Sequence, residues 1–374
     1  MGGHFQSGNA PGRSGGRHHR RSIMVSALLT LSCTGLLLLP AAISASTALK
    51  KLTPLQKGLN FYKGKTVTFI IPSSVGGSVD QLGRDLSVAM GQYLGATFNV
   101  ENIPTGNLIP GQDALAASKP DGLTIGEGNI PADILDQLTN AFKGVNFNIA
   151  REAFIGSTPP SPNVIVASTK SSIASFKSLL SLPNQGFVGT CQGITDINER
   201  TVNAIWNVHY KPICGYATTA LVVQGFDRGD GTLMINGLST VGPLIQGGLA
   251  RPILISGKVQ PGITYGSLVA NTPTFTQAAK LYPPKSKADQ KLLTTLLSME
   301  SVSGSLIMGP TQMPADDVLA MRAAFQAAFK QPALKTLLLS QGNPTHPVLD
   351  GPAAKQQLLQ VEKYVKLLTP ALES

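Results

Sequence analysis

Histidine, cysteine and charge are all scarce in this chain. Its 374 residues include five histidines and three cysteines, and only 13% are Asp, Glu, Lys or Arg. Three of the histidines, His4, His18 and His19, fall in the first twenty positions, and neither His209 nor His346 has metal-ligand spacing around it. Beyond residue 45 there is no G-x-S-x-G elbow and no visible His–Cys arrangement. The usual machinery of hydrolysis and of metal binding is missing, so no catalytic residue, metal site or cofactor is assigned. Two phosphate-loop fragments also fail. "GKT" at Gly64 to Thr66 has Leu59 where the P-loop needs its first glycine, and "GEGNIP" from Gly126 ends in Pro131 where a dinucleotide fingerprint needs Gly. No basic arm and no basic stripe interleaved with aromatics is present, which argues against nucleic acid. The 39 glycines and 26 prolines amount to about 17% of the chain, short of the roughly 25–30% of low-complexity sequence.

What the chain does have is apolar content, 42% of residues, enough for a substantial core and for two domains. Residues 1–45 stand apart. Arg20 and Arg21 precede an apolar run from about Ile23 to Leu39, then Pro40 and small residues suited to cleavage near Ala45 or Ala48. This is read as an export signal, by the twin-arginine or the general secretory route. Cys33 lacks a leucine three residues before it, which argues against a lipid anchor. The stretch holds Arg13, Arg17, Arg20 and Arg21 and no acid, so 26 basic and 20 acidic residues remain, an excess of six. Such a surface favours small anions weakly.

Beyond it, strand and helix patterns alternate. "TVTFII" (66–71), "ATFNVE", "LTIGE", "NVIVAS", "GFVGT", "GTLMIN" and "PILIS" read as strands, and Val79, Leu82, Leu86 and Met90 are spaced for one face of a helix. Alternation of this kind implies parallel sheets with helices on both faces, and ligands gather beyond the C-terminal strand ends. Ser73 to Ser78 occupies such an end. Gly76 and Gly77 open the backbone to a ligand, Ser78 reads as the N-cap of the next helix, and the unsatisfied first-turn N–H groups attract an anion. The helix end offers about 0.3–1 kcal/mol, up to about 2 when partly buried. Micromolar binding needs about 8 kcal/mol, so a second loop has to close on the same ligand. "FVGTCQGITD", Phe187 to Asp196, has the same strand, glycine loop and helix order.

Four stretches together resemble the solute-binding receptors of tripartite tricarboxylate transporters, the Bug proteins. They are "VTFIIPSSVGGSVDQLGRDLSVAMGQYLG", "FNVENIPTGNLIPGQDALAASKPDGLTIGEGN", the G-T-x-x-G loop at Gly189 to Gly193, and "PLIQGGLARPILIS". The most specific feature is Glu101-Asn102 followed by Pro120-Asp121-Gly122, and the likeness runs from about Lys65 to the C-terminal helix. The resemblance implies an α/β, two-lobed, type II periplasmic binding protein, with parallel-rich sheets flanked by helices and the ligand in the interlobe cleft. It implies a monomeric receptor that holds a small carboxylate through backbone amides and hydroxyls and delivers it to integral-membrane transporter subunits. Carried onto this chain, the first loop supplies Ser73, Ser74, Gly76, Gly77 and Ser78, with Asp80 stabilising the helix start or touching ligand. The second supplies Thr190, Cys191, Gln192, Gly193, Ile194 and Thr195. Asn129 lines the cleft, and Tyr216 stands in for a family tyrosine. Ser73, Ser74 and Val75 replace the family's aromatic and proline before the glycines, which leaves the ligand's identity open.

In an oxidising compartment Cys191 and Cys214, at the ends of two strands that bracket one helix, are within reach of a disulfide, because parallel neighbours lie about 4.8 Å apart. The lobes are expected at 65–162, 163–273 and a return at 274–374. A ligand-sensing adaptor for a sensor kinase is the alternative function, and an enzyme on the same fold ranks third.

Overall fold

A computed structural model describes residues 51–104, 108–138, 144–191, 193–300 and 304–372. The expected export signal lies outside these residues. No described helix is long and apolar enough to cross a membrane.

The described chain opens with α1 (Pro54–Tyr62), β1 (Thr66–Ile71), α2 (Ser78–Leu94), β2 (Thr97–Asn102), α3 (Ile109–Ala116), β3 (Thr124–Asn129), α4 (Ile130–Leu138) and β4 (Ala153–Ser157). A second group follows, β5 (Asn163–Ser168), α5 (Phe176–Ser181), β6 (Gln185–Val188), α6 (Gly193–Trp206), β7 (Tyr210–Ile213), α7 (Thr219–Arg228), β8 (Leu233–Gly237), α8 (Leu238–Gln246) and β9 (Ala250–Ile255). The remainder is α9 (Phe275–Leu281), α10 (Lys287–Glu300), β10 (Ser305–Gly309), α11 (Ala315–Ala328), α12 (Pro332–Ser340), β11 (Leu349–Asp350) and α13 (Gly351–Leu372).

Two sheets result. One has the order β11-β4-β10-β3-β1-β2 and the other β7-β6-β8-β5-β9. The α/β reading and its strands hold, with the trios β2-β1-β3 and β7-β6-β8, each at one side of its sheet, parallel. The sheets are nonetheless mixed: β10 runs antiparallel to β3 and β4, and β5 antiparallel to β8 and β9. The reason is connectivity. β5 and β10 are the strands by which the chain enters a sheet from the other one, so each starts at the edge where its antiparallel neighbours end. The C-terminal ends of β1, β3 and β4 and the start of β10 share one edge. Those of β6, β8 and β9 share an edge with the start of β5.

Burial follows from composition. "TVTFII" places Val67, Phe69 and Ile71 at zero exposure under α2 and α11, where Leu86, Met90, Met321 and Phe325 meet them. All six residues of β5, "NVIVAS", are buried, as befits a strand covered on both faces. The "PADDVLAMRAAFQAAFK" segment forms α11, and its Val318, Met321 and Phe325, with Phe329 just beyond, are core. Helices α9 and α10 contribute Phe275, Ala278, Leu293 and Leu296 to the apolar cluster of the second sheet. α10 also touches α13, and α6 touches α4 and α13, so these helices bridge the two sheet groups.

Candidate functional site

The first loop leaves β1 at Pro72 and enters α2 at Ser78. Ser78 is the first helical residue, so the expected N-cap shifts to Gly77, and no side chain caps the helix. The glycine leaves the first-turn N–H groups without a side-chain acceptor of the chain's own making. Gly76 has φ +82°, a backbone conformation glycine adopts freely, and a Cβ there would meet nothing within 4 Å. The side chain of Ser78 lies outside the described residues.

Asp80 fixes this loop from below. Its Oδ2 accepts the Gly76 backbone N–H at 2.8 Å and Arg84 Nε at 3.0 Å. Its Oδ1 accepts Asn102 Nδ2 at 2.8 Å and pairs with an Arg84 amino group at 2.9 Å. Asn102 Nδ2 also donates to the Ser73 carbonyl at 3.0 Å, and Arg84 donates to Asn102 Oδ1 at 2.9 Å. Burial works to raise the Asp80 pKa, but hydrogen bonds from Arg84, Gly76 and Asn102, with the Arg84 charge, hold it below the ordinary value. The carboxylate is 1% exposed, and it serves the loop backbone.

The second loop leaves β6 at Gly189 and enters α6 at Gly193. Gly189 N–H donates to the Ile213 carbonyl at 3.2 Å. Cys191, with φ +57°, is disulfide-bonded to Cys214 just beyond β7, at a Cα–Cα distance of 5.5 Å. The bond predicted from the strand pattern is therefore present, and it ties the loop to the neighbouring strand end. Thr190 stands between Gly189 and the bonded cysteine. Gln192 lies outside the described residues, as do the side chains of Ile194 and Thr195; Gly193, Ile194 and Thr195 form the first turn of α6.

Two expected residues are engaged elsewhere in the loop architecture. Asn129 closes β3 and starts α4: its Oδ1 accepts the Ala132 N–H at 3.2 Å, while its own N–H donates to Asp133 at 2.8 Å. It stands at the crossover edge, in register with Ser305. Tyr216 lies over Gly225, where a Cβ would meet its ring at 2.5 Å, and its hydroxyl donates to Asp230 Oδ2 at 2.5 Å.

Sequence reasoning passed over three further features. Asn102 was seen as a signature residue but its work on the first loop was not, and nothing short of the folded register, Ile71 opposite Asn102, would reveal it. Glu300, at the end of α10, accepts Asn198 Nδ2 at 2.6 Å and Asn163 Nδ2 at 3.3 Å; the Asn163 N–H donates to Ser256 Oγ and the Ser256 N–H donates to the Asn163 carbonyl. Burial pushes the Glu300 pKa up, against the hydrogen bonds of Ser256, Asn198 and Asn163. Glu127, inside β3, is an acid within a strand and 2% exposed. The "GEG" run was a visible signal for it.

A cavity of about 880 Å³ lies beside Ser256, with Lys258, Gln260 and Lys280 in its lining, and another of about 370 Å³ lies beside Phe176 and Tyr282. Neither is lined by the two loops. Both loops instead occupy the sheet edges where the chain crosses, which is where open α/β sheets bind ligands.

The fold, two mixed α/β sheets joined by crossing segments, is shared with solved periplasmic binding proteins. A structure described as a periplasmic transporter aligns at TM-score 0.67 and 20% identity, over 83% of this chain and 97% of the other. The periplasmic binding protein BugD aligns at 0.67 and 17%, over 83% and 98%. MatC from Rhodopseudomonas palustris, with bound malate, aligns at 0.62 and 16%, over 82% and 99%. The family resemblance read from the sequence and the solved structures thus point to the same fold. No family model and no curated protein matches the chain.

Proposed function

We propose that this protein is an extracytoplasmic solute-binding receptor of the tripartite tricarboxylate transporter type, which captures a small organic carboxylate between two lobes and delivers it to integral-membrane subunits without transforming it. The observation that carries the reading is the first loop: Gly76 and Gly77 are presented at a helix start with no side-chain cap, and the buried Asp80, with Arg84 and Asn102, holds the loop backbone in place. Preorganised N–H groups at a helix N-terminus are a ready anion site. The lobes take 65–162 and 163–273 with the return segment, and residues 1–45 direct export. Loop residues Ser73, Ser74, Gly76, Gly77 and Ser78 meet the ligand from one side, and Thr190 to Thr195 from the other. MatC carries malate and a second R. palustris neighbour carries adipate, which supports a dicarboxylate as the ligand class.

The test is a thermal-shift panel of small carboxylates on protein unfolded and refolded to remove carried ligand. A true ligand at a hundred times its Kd adds about 2.7 kcal/mol of stability. A flat panel on folded protein, or conversion of a bound acid to product, overturns the reading.

A further inference from the structure

Glu127 is the odd member of the first sheet. It stands directly opposite Ile307 of β10, on the face that Ile71, Ile125 and Leu86 make apolar beneath α2. Both carboxylate oxygens are buried without a hydrogen-bond partner of good geometry. Room for them comes from Gly83 of α2, where a Cβ would sit 3.3 Å from Glu127 Oε2 and clash with Ile71 Cδ1. Gly83 lies one turn beyond Asp80, the residue that grips the Gly76 amide of the first loop. An acid has been built into the floor under the anion-binding turn.

The groups around it are few. From α2 come Asp80, whose charge faces Glu127, and Arg84, which is spent on Asp80 and Asn102; Asp85 turns toward Gln341 of α12. β10 offers the Ser305 hydroxyl and β1 offers no titratable group. On the opposite face of β3, Gln112 of α3 donates to the Glu127 carbonyl at 2.8 Å, and Asp133 of α4 accepts from Asn129. No described cation reaches the Glu127 carboxylate. With Asp80 and Arg84 cancelling, ionised Glu127 would put an uncompensated negative charge beneath a loop that has to receive another.

We infer that Glu127 is a positioning residue that makes carboxylate capture proton-linked: the first loop accepts an anion while Glu127 is neutral, and binding takes up one proton from solvent where the acid starts out ionised. This rests on the receptor reading above. Desolvation, then the neighbouring Asp80 charge, pushes the Glu127 pKa to about 8, against the Ser305 hydroxyl. At about pH 9 only about a tenth of the protein is then competent, so the apparent Kd rises about tenfold relative to pH 7.

The experiment is titration calorimetry of the full chain with malate and with adipate between about pH 6.5 and 9.5, in two buffers of different ionisation enthalpy, for wild type and Glu127→Gln. A wild-type Kd that climbs about tenfold toward pH 9 with proton uptake, and a flat profile for the variant, is the expected result. A flat wild-type profile, or the same slope in both proteins, overturns the proposal. If neither acid binds at any pH, it is the receptor reading for dicarboxylates that fails. The proposal is then decided on ligand-free wild type, by carboxyl NMR and by exchange of the Gly76 amide. One carboxyl titrating near pH 8, with Gly76 protection falling alongside, supports it even if the variant does not fold. Unchanged protection, or all carboxyls titrating in the ordinary range, refutes it.

Discussion

Replacing Asp80 by Asn tests whether the first loop is held by a carboxylate. Asp80 accepts three hydrogen bonds, from Gly76, Asn102 and Arg84 Nε, and forms an ion pair with a second Arg84 nitrogen. An amide of the same shape has one oxygen and one NH₂, so at least one of these donors must face another donor. Hydrogen bonds to a charged group contribute about 1.5–3 kcal/mol each, and the share of the half-exposed Arg84 is small because water screens it. We expect a net loss of about 2–3 kcal/mol, or a Tm lowered by about 4 °C in a chain of this size. The Gly76 amide should exchange about thirtyfold faster, because its local opening loses about 2 kcal/mol. The pH dependence has a fixed sign. The native pKa of Asp80 lies below 3.8, so its contribution is complete above that value and is lost as the pH falls through the native pKa. Calorimetric unfolding from neutral pH to about pH 3 should show the gap between wild type and variant closing only at the acid end. An unchanged Tm with unchanged Gly76 exchange would refute the argument that this network holds the loop.

Three other outcomes follow from the same geometry. Converting Cys191 and Cys214 to Ser opens a link that spans 23 residues and should cost about 3 kcal/mol in thermal unfolding, with weaker binding of a carboxylate probe; thiol labelling of wild type should require reductant. Gly76→Ala and Gly77→Ala should separate folding from binding: the first forces φ +82° on alanine and costs about 1 kcal/mol, whereas the second, at φ −72°, keeps Tm and places a methyl at the helix start that lowers probe affinity in calorimetry. For Glu127 the native pKa is raised from 4.5 to about 8, so wild type is at no disadvantage at acid pH and loses stability steadily as the pH rises between those values. Chemical denaturation of Glu127→Gln against wild type should therefore give a difference that grows in favour of the variant up to about pH 8 and then levels.

How much of this was legible depended on distance along the chain. Every strand read from β-branched runs is present, and so are the two glycine loops, because β1 with Gly76-Gly77 and β6 with Gly189 carry their signal within a dozen residues. The disulfide was reachable because both cysteines end strands that the βαβ pattern makes neighbours. The antiparallel strands were not legible as such. "SGSLIMGP" contains an ordinary buried strand, and only its entry from the other sheet group sets its direction. The Asp80–Asn102 and Glu300–Asn163 pairs join residues 22 and 137 positions apart, and no local pattern marks them.

The two loops are held by different kinds of restraint, and this bears on how the receptor would work. The side-chain hydrogen bonds described for the first loop lie between Ser73 and Asn102, within one sheet group and its covering helix. The helix behind the second loop is held through Asn198 to Glu300, and Glu300 also holds Asn163, the first residue after the chain crosses into the second sheet. Asn163 in turn exchanges two bonds with Ser256, where β9 ends and the chain starts back. Asn198, Glu300, Asn163 and Ser256 belong to the second sheet and its helices at the points where the chain crosses, whereas the first set sits away from those crossings. Ligand-driven closure requires that the ligand bind the closed form more tightly than the open one. With a rigid first loop, that difference in affinity has to be generated at the second, so substitutions at Glu300 or Asn198 should shift the open–closed balance where those at Asp80 shift the intrinsic anion affinity.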